Sequence, residues 1–585
     1  MAGAPELAAD EPLNAWGRHG TTFAWLATAL FAAPALRTGF VMDDFLQRLV
    51  LRGDLPELGL GPATLYDFTG GNFRPEEWLG RGFVPWFTDP ALHIRFFRPL
   101  ASLSIALDRV LFGPSALAAH LVGAALFAGV SAPAFALFRG VLAPNRAGLA
   151  SFLFAVASGN SVNLTWVAGR HVLVGGLFGA LAVLAVVRHA AGRAPVWLAP
   201  LSIAFAMLAS ETCLAALAMI VSYELCAREG PLRARVLRAL PWAAAAAAYV
   251  VAYSLAGYGV KHSGLYISPL TAPGAFLAAA ATRLPCLLGE LAFAVPSSLW
   301  GVAARARGAL AVLGVATSGL VVWLAWRGSA PGAERRKVTW FAFAVLLATL
   351  PMVGGVADGR MLLLPLFASA PLVASAVDGT RSLRFGKVRL PLRAAGAALL
   401  FMHVGVAGLF RLAGTELMVH VSRAQRELAL HTDVSRCRPG SPLFVLTGAD
   451  PTLSLFGGSL LRYYRPELVR LHPSLTVLSM AQARQRLARP TRDEVRLDVE
   501  GARRGVTIFE TLFRDTPLVR GMKLDFTRFA VEVLGVADGL PTSIAVTLPE
   551  DACLLTLEHA AVVGRPLPDV GSSREVAYEP GPLGL

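Results

Sequence analysis

Apolar residues fall in long unbroken runs through the first two thirds of the chain. Neither the alternation of a half-buried strand nor the stripe of an amphipathic helix accounts for them. Residues 21–40, 116–138, 171–187, 240–257, 308–326, 338–356 and 392–410 are each nearly free of charge. A bilayer core about 30 Å thick takes roughly 20 such residues per helix. The backbone inside it must close its own hydrogen bonds, and the Ala, Leu and Val content does so as helix rather than barrel. Shorter apolar stretches near 147–160 and 361–377, and a hairpin over 195–226 that bends near Glu211, bring the expectation to about eleven transmembrane helices. The stretch 258–300 departs from this pattern. Its Lys261, His262, Arg283 and Glu290, with Pro285 and Pro296, suit a re-entrant or interfacial segment.

After residue 411 the texture changes. Segments 441–447, 496–499, 506–509, 529–534 and 542–548 are short and β-prone, with Ala537-Asp538-Gly539 as a turn between the last two. The expected organisation is an α-helical polytopic membrane domain over 1–411, with 41–98 as its first long loop. A small β-rich or α/β domain then covers 412–585.

Composition supports the membrane assignment. The 585 residues are 55% hydrophobic and only 16% charged, with a mean hydropathy of +0.56, whereas soluble domains carry about 25% charge. The formal charge of +14 does not imply nucleic acid, because the cations cluster in short loops between apolar runs. That distribution follows the positive-inside bias and predicts a cytoplasmic N-terminus, with 41–98 and 412–585 extracytoplasmic. The first apolar run has no small-residue cleavage site after it and reads as a retained helix. Of the five cysteines, Cys213, Cys226 and Cys286 lie in apolar runs as packing residues. Cys437 and Cys553 would pair if their domain faces an oxidising space. The Ala, Arg, Gly and Pro content suits a bacterial chain, hence a bacterial inner membrane.

Charged residues at the bilayer are costly, so each is a candidate for function. Asp43-Asp44 follows the first helix directly, where one carboxylate could take a proton and the other could orient a group or bind a divalent cation, Mg or Mn. Arg98, Arg170, Glu211 and Arg360 sit beside other helix ends expected on the same outer side. Arginine suits phosphate because its fork of donors stays charged.

The order of these motifs resembles the GT-C glycosyltransferases, in particular the O-mannosyltransferase-like proteins that often carry tetratricopeptide repeats. The resemblance covers about residues 20–380 and runs through Asp43-Asp44; Arg98-Pro99-Leu100, Asp108, Leu111-Phe112-Gly113 and His120; Phe154-Ala155-Val156 with Trp166-Val167-Ala168-Gly169-Arg170; Glu211-Thr212; and Arg360. The repeats are absent. Where the family often has His-Pro-x-His-x-Glu, this chain has Ala157, Ser158, Asn160 and Val162; Ser210 replaces a lysine, and Gly359-Arg360-Met361 stands for Asp-Arg-Tyr. The resemblance implies transfer of a sugar from a polyprenyl-phosphate-linked donor in the lipid bilayer to an extracytoplasmic acceptor, a protein or envelope glycan. Asp43 or Asp44 would be the base, Arg98, Arg170 and Arg360 would hold the donor phosphate, and His120 and Glu211 are further candidates. Two alternatives remain open: a lipid-linked glycan transporter or flippase, which would show inverted repeats and midplane charges, and a non-catalytic relative acting in envelope assembly.

Overall fold

The structure is a computed structural model and describes residues 13–383, 389–446, 451–500 and 508–582. The chain divides into two compact units, each built from three segments. The first comprises Met1–Arg37, Phe97–Gly257 and Ala272–Glu416; the second comprises Thr38–Phe96, Tyr258–Thr271 and Leu417–Leu585.

The first unit is helical. Among the described residues, seven helices are long and apolar enough to cross a membrane: Ala116–Val141, Val167–Ala190, Leu232–Leu255, Pro273–Phe293, Arg307–Gly328, Ala333–Gly354 and Leu392–Leu430. The protein is therefore a helical multi-pass membrane protein. Other helices fall short of these criteria. Leu198–Ala209 and Cys213–Ala227 form the expected hairpin, with Ser210-Glu211-Thr212 at its bend. Pro144–Val156 has 13 residues and Leu366–Ser382 has 17. The first helix, Ala15–Ala32, begins earlier than the apolar run predicts because Asn14 caps it, its side chain accepting from the Trp16 and Gly17 amides at 2.9 and 3.2 Å. Arg18 and His19 thus lie within its first turns.

Close helix packing uses glycine pairs. A Cβ on Gly20 would lie 2.5 Å from Gly148 Cα, and one on Gly328 would lie 2.2 Å from Gly379 Cα. Lipid-facing helices gain nothing from apolar burial against each other, so backbone approach and dispersion hold them.

Two stretches depart from the sequence reading. The segment 258–271 belongs to the second unit, while Pro273–Phe293 is one continuous helix with Pro273 in its first turn and Pro285 inside it. This helix is long and apolar enough to cross a membrane, where the sequence reading expected a re-entrant or interfacial segment. The second departure is a helix at Pro99–Phe112, which no long apolar run signals. Leu103, Leu107, Val110 and Leu111 are exposed on one side of it, and Ser102, Ile105, Ala106 and Asp108 are buried on the other. That apolar stripe is the pattern of a helix lying at a lipid surface.

The second unit mixes strands and short helices. Its strands are β1 (His93–Arg95), β2 (Gly259–Lys261), β3 (Leu443–Leu446), β4 (Leu475–Ser479), β5 (Arg484–Ala488), β6 (Glu494–Glu500), β7 (Lys523–Phe526), β8 (Phe529–Ala537), β9 (Leu540–Thr547), β10 (Cys553–Glu558), β11 (Ala561–Pro566) and β12 (Ser573–Val576). One sheet runs β11-β10-β3-β4 with parallel pairing of β3 to both β4 and β10; a second, antiparallel throughout, runs β12-β5-β6-β9-β8-β7. The β8–β9 hairpin turns on Asp538 and Gly539, both at positive φ (53° and 75°), as a two-residue loop matched to strand twist requires. The expected strand at 506–509 falls partly outside the described residues, at 506–507, and Phe509 belongs to the short helix Ile508–Leu512. Tertiary contacts override β-propensity there: the Thr511 and Leu512 carbonyls at the end of that helix accept from Gly264 N at 2.9 Å and Ser263 Oγ at 2.6 Å.

The segment 38–96 is folded in the same unit. β1 pairs with β2, Trp86 Nε1 donates to Leu478 O at 2.8 Å, and Asp67 takes a two-pronged ion pair from Arg95 at 2.6 and 2.8 Å. Those hydrogen bonds raise the Arg95 pKa above its ordinary value.

Cys437 and Cys553 are joined, with Cα atoms 5.6 Å apart and 116 positions between them in sequence. Closing a loop of that size removes about 4–5 kcal/mol of unfolded-chain entropy in the simple chain model. Reduction with dithiothreitol is expected to lower the unfolding midpoint of the second unit by several degrees, measured by calorimetry on the intact protein. An unchanged midpoint after confirmed reduction would mean that the bridge contributes nothing.

Candidate functional site

Arg98 and Glu211 meet at the start of the helix Pro99–Phe112. Arg98 precedes its first residue, and Pro99 at the first helical position sets the direction in which the chain enters. Arg98 Nε donates to Glu211 Oε2 at 2.9 Å, and Nη2 lies 2.9 Å from the same oxygen. Glu211 sits in the Ser210–Thr212 bend, where the chain turns between two short apolar helices. Tyr253, near the end of Leu232–Leu255, donates its hydroxyl to Glu211 Oε1 at 2.8 Å. One carboxylate therefore ties together three helix ends.

The cluster extends through the bend. Ser210 Oγ lies 3.5 Å from Glu211 Oε2 and 3.0 Å from His171 Nδ1. His171 lies within electrostatic reach of both Arg98 and Arg360, two of the predicted phosphate-holding residues. Arg360 lies in the 3-10 turn Gly359–Leu362, started by Asp358, whose side chain accepts from Arg360 N at 3.0 Å. Its guanidinium stacks over Trp166 at 4.5 Å, and Nε lies 3.5 Å from Asp358 Oδ2 without making a hydrogen bond. Asn163 Nδ2 holds the Arg360 carbonyl at 2.9 Å. The side chain is thus oriented by an aromatic face and its own backbone, with hydrogen-bonding capacity left at the head.

Against this turn lies Glu290. Ser297 donates to its Oε2 from both N (2.8 Å) and Oγ (2.6 Å), and Ser158 Oγ donates to Oε1 at 3.1 Å. A Cβ at Gly359 would come within 2.2 Å of Glu290 Oε1, so glycine is required there for the carboxylate to approach. The sequence shows Ser158 only as the replacement for a family histidine, and Glu290 only as an oddity in an ambiguous stretch. Their pairing joins a turn and a helix 132 positions apart in sequence and leaves no local signal. His171, adjacent to the motif residue Arg170, was legible as a polar residue in an apolar run.

Arg170 points elsewhere. It is 2% exposed, ion-paired with the buried Asp108, and donates to the Ala119 carbonyl at 2.7 Å and the Ser104 carbonyl at 3.3 Å. Its fork links the interfacial helix to Ala116–Val141. His120 is likewise buried, with Nδ1 at 3.0 Å from Leu164 O.

Asp43 and Asp44 belong to the second unit and open the helix Asp43–Arg52. Asp44 is 1% exposed, and its Oδ2 accepts from Val41 N at 3.0 Å, satisfying a backbone donor just ahead of the helix. Asp43 is partly exposed. Met42 holds a positive φ of 51° between them and the preceding chain, and its amide donates to Gln425 Oε1 at 3.4 Å. The pair is therefore divided by burial: the Asp44 carboxylate is inward and accepts from a backbone amide, and Asp43 is partly exposed.

No family model matches the sequence, and no curated protein matches it. Solved structures do align with it. ArnT from Cupriavidus metallidurans bound to undecaprenyl phosphate aligns at 13% identity over 80% of this chain and 87% of that one, with a TM-score of 0.37. The Archaeoglobus fulgidus oligosaccharyltransferase, tethered with an acceptor peptide containing the NVT sequon via a disulfide bond, aligns at 13% identity over 77% of this chain and 64% of that one, with a TM-score of 0.34.

The Arg170–Asp108 pair has a testable cost. Removing one partner strands the other charge in an apolar interior, which destabilises by about 3–5 kcal/mol, whereas removing both costs much less. Arg170→Ala should therefore melt well below wild type in detergent, and Arg170→Ala with Asp108→Ala should recover part of the loss. A double variant no more stable than the single one would show that the pair is not what Arg170 contributes.

Proposed function

We propose that the protein is a membrane glycosyltransferase that moves a sugar from a polyprenyl-phosphate carrier to a hydroxyl or similar group of an extracytoplasmic acceptor. The observation that carries this reading is Arg360, pre-oriented on Trp166, with its Nε making no hydrogen bond. A cation held ready at a helix end in an apolar unit fits an anionic lipid headgroup. Arg98, shared with Glu211, adds positive charge to the same cluster. Arg170 serves as the buried brace that positions the interfacial helix.

In the proposed reaction the acceptor oxygen attacks the anomeric carbon as its proton passes to a carboxylate base, the role for which the family resemblance implies Asp43 or Asp44 and for which we take Asp43. The bond from that carbon to the phosphate oxygen breaks, and the electron pair leaves with the lipid phosphate. Arg360 and Arg98 stabilise the charge that grows there. Asp44 keeps the start of its helix in place.

Two features support an extracytoplasmic second unit. Its three segments fold as one body, so they share one side of the membrane. It also holds a disulfide, which persists in oxidising compartments such as the bacterial periplasm. The basic short loops point the same way.

The two aspartates should separate in an assay of sugar transfer from radiolabelled polyprenyl-phosphate donors in membranes. Asp43→Asn removes the base and should slow transfer by roughly 10²–10⁴. Asp44→Asn keeps an acceptor for the Val41 amide and should retain most activity. Full activity in Asp43→Asn would remove it from the chemistry, and equal loss in both variants would contradict the division of roles.

A further inference from the structure

We propose that Asp89, His262 and Asp515 form a binding site for a divalent transition-metal ion, with Zn²⁺ the best match. The three residues come from the three separate segments of the second unit. One ligand atom from each lies within 4.8 Å of the others, and His262 Nδ1 is 3.8 Å from Asp515 Oδ2. In a tetrahedral Zn²⁺ site with bonds of about 2.0–2.2 Å the ligand atoms stand about 3.4 Å apart, so these would draw together by up to about 1.4 Å. His262 and Asp515 side chains are 46% and 41% exposed, so small rotations suffice.

The backbone around the triad is held by bonds that do not involve the ligand atoms. Asp89 N donates to Phe513 O at 2.9 Å, and Arg514 Nε donates to Phe87 O at 2.8 Å. Gly264 N and Ser263 Oγ reach the Thr511 and Leu512 carbonyls from the other side. Asp89 is further oriented by Ala91 N on Oδ1 at 2.9 Å and Thr516 Oγ on Oδ2 at 3.4 Å, the kind of outer partners that aim a metal-binding carboxylate.

Charge points to a cation. Among the described residues neither Asp89 nor Asp515 pairs with Lys or Arg, although the chain carries 53 Lys and Arg against 39 acids. Arg514, next to Asp515, sends its donors to Phe87 O and Thr516 instead. Two carboxylates thus face one imidazole with no fixed positive charge between them. An exposed His–Asp ion pair alone is worth little and does not account for the third residue. His262 also occupies a positive φ of 57°, where glycine would be relaxed. The mixed oxygen and nitrogen set suits Zn²⁺ or Mn²⁺ better than Mg²⁺, which prefers oxygen ligands alone. An ion there would clamp 258–271 to 38–96 and to the C-terminal segment. The site does not depend on the transfer reaction.

The test uses tag-free, full-length protein in nanodiscs, stripped with EDTA and then titrated with Zn²⁺. Bound metal is read by mass spectrometry after desalting, and the unfolding midpoint by calorimetry. Wild type should retain one ion per chain and melt higher with Zn²⁺. His262→Gln and Asp515→Asn should each weaken binding by roughly tenfold or more and lose the shift, while melting like wild type in EDTA. His431→Gln, at an exposed His–Glu pair elsewhere, should bind as wild type does. Wild type that retains no Zn²⁺, or His262→Gln that retains it fully, would overturn the proposal.

Discussion

A guanidinium within an apolar helical unit must have its charge answered, because leaving it bare costs several kcal/mol. Most of the first unit's polar architecture follows from that requirement. Arg170 is answered by Asp108 and two carbonyls, and Arg98 by Glu211. Arg146 is answered by Glu334 and Asp378, at 2.9 and 2.8 Å. Arg411, fully buried, reaches the Ala155 carbonyl and lies over the rings of Phe31 and Phe127 at 5.0 and 5.1 Å. Each pairing joins helices distant in sequence, so each also specifies which helices are neighbours. Arg360 stands apart: its partners are a ring face and an aspartate two residues away. That difference is the reason Arg360 is the one proposed to meet a ligand.

The second unit obeys another constraint. Segments 38–96 and 258–271, which alternate with membrane helices in sequence, pair backbone to backbone with each other and with the C-terminal segment. β1 finds its partner in β2, and the end of the helix Ile508–Leu512 finds its donors in Ser263 and Gly264. Strand edges and helix ends left unpaired would be costly, and here the three segments complete one another. The disulfide adds a covalent tie between β10 and the chain ahead of β3.

Much of this was readable from the chain. Charge-free runs mark the spans, the Asp538-Gly539 turn marks its hairpin, and the Ser210–Thr212 bend sits where the apolar run is interrupted. Other features were hidden for physical reasons. The interfacial helix Pro99–Phe112 is half apolar, so no window of pure hydropathy finds it. Phe509 sits in a helix because tertiary hydrogen bonds outweigh local preference. Asp43 and Asp44 look equivalent in sequence, and burial with the Val41 amide distinguishes them in the fold. Arg98, Arg170 and Arg360 likewise share one motif logic, and three-dimensional partners divide them. Glu290 and Ser158 meet across 132 positions, and no local spacing encodes that.

The most direct measurement of the central claim is equilibrium binding of a radiolabelled polyprenyl phosphate to the purified protein in nanodiscs, for wild type and Arg360→Ala. A charge-assisted hydrogen bond is worth about 1.5–3 kcal/mol, so the variant should bind roughly ten- to a hundredfold more weakly. The corresponding polyprenyl alcohol, which lacks the phosphate, should compete poorly with wild-type binding. Equal affinity in the two proteins, or an alcohol that competes as well as the phosphate, would contradict the account.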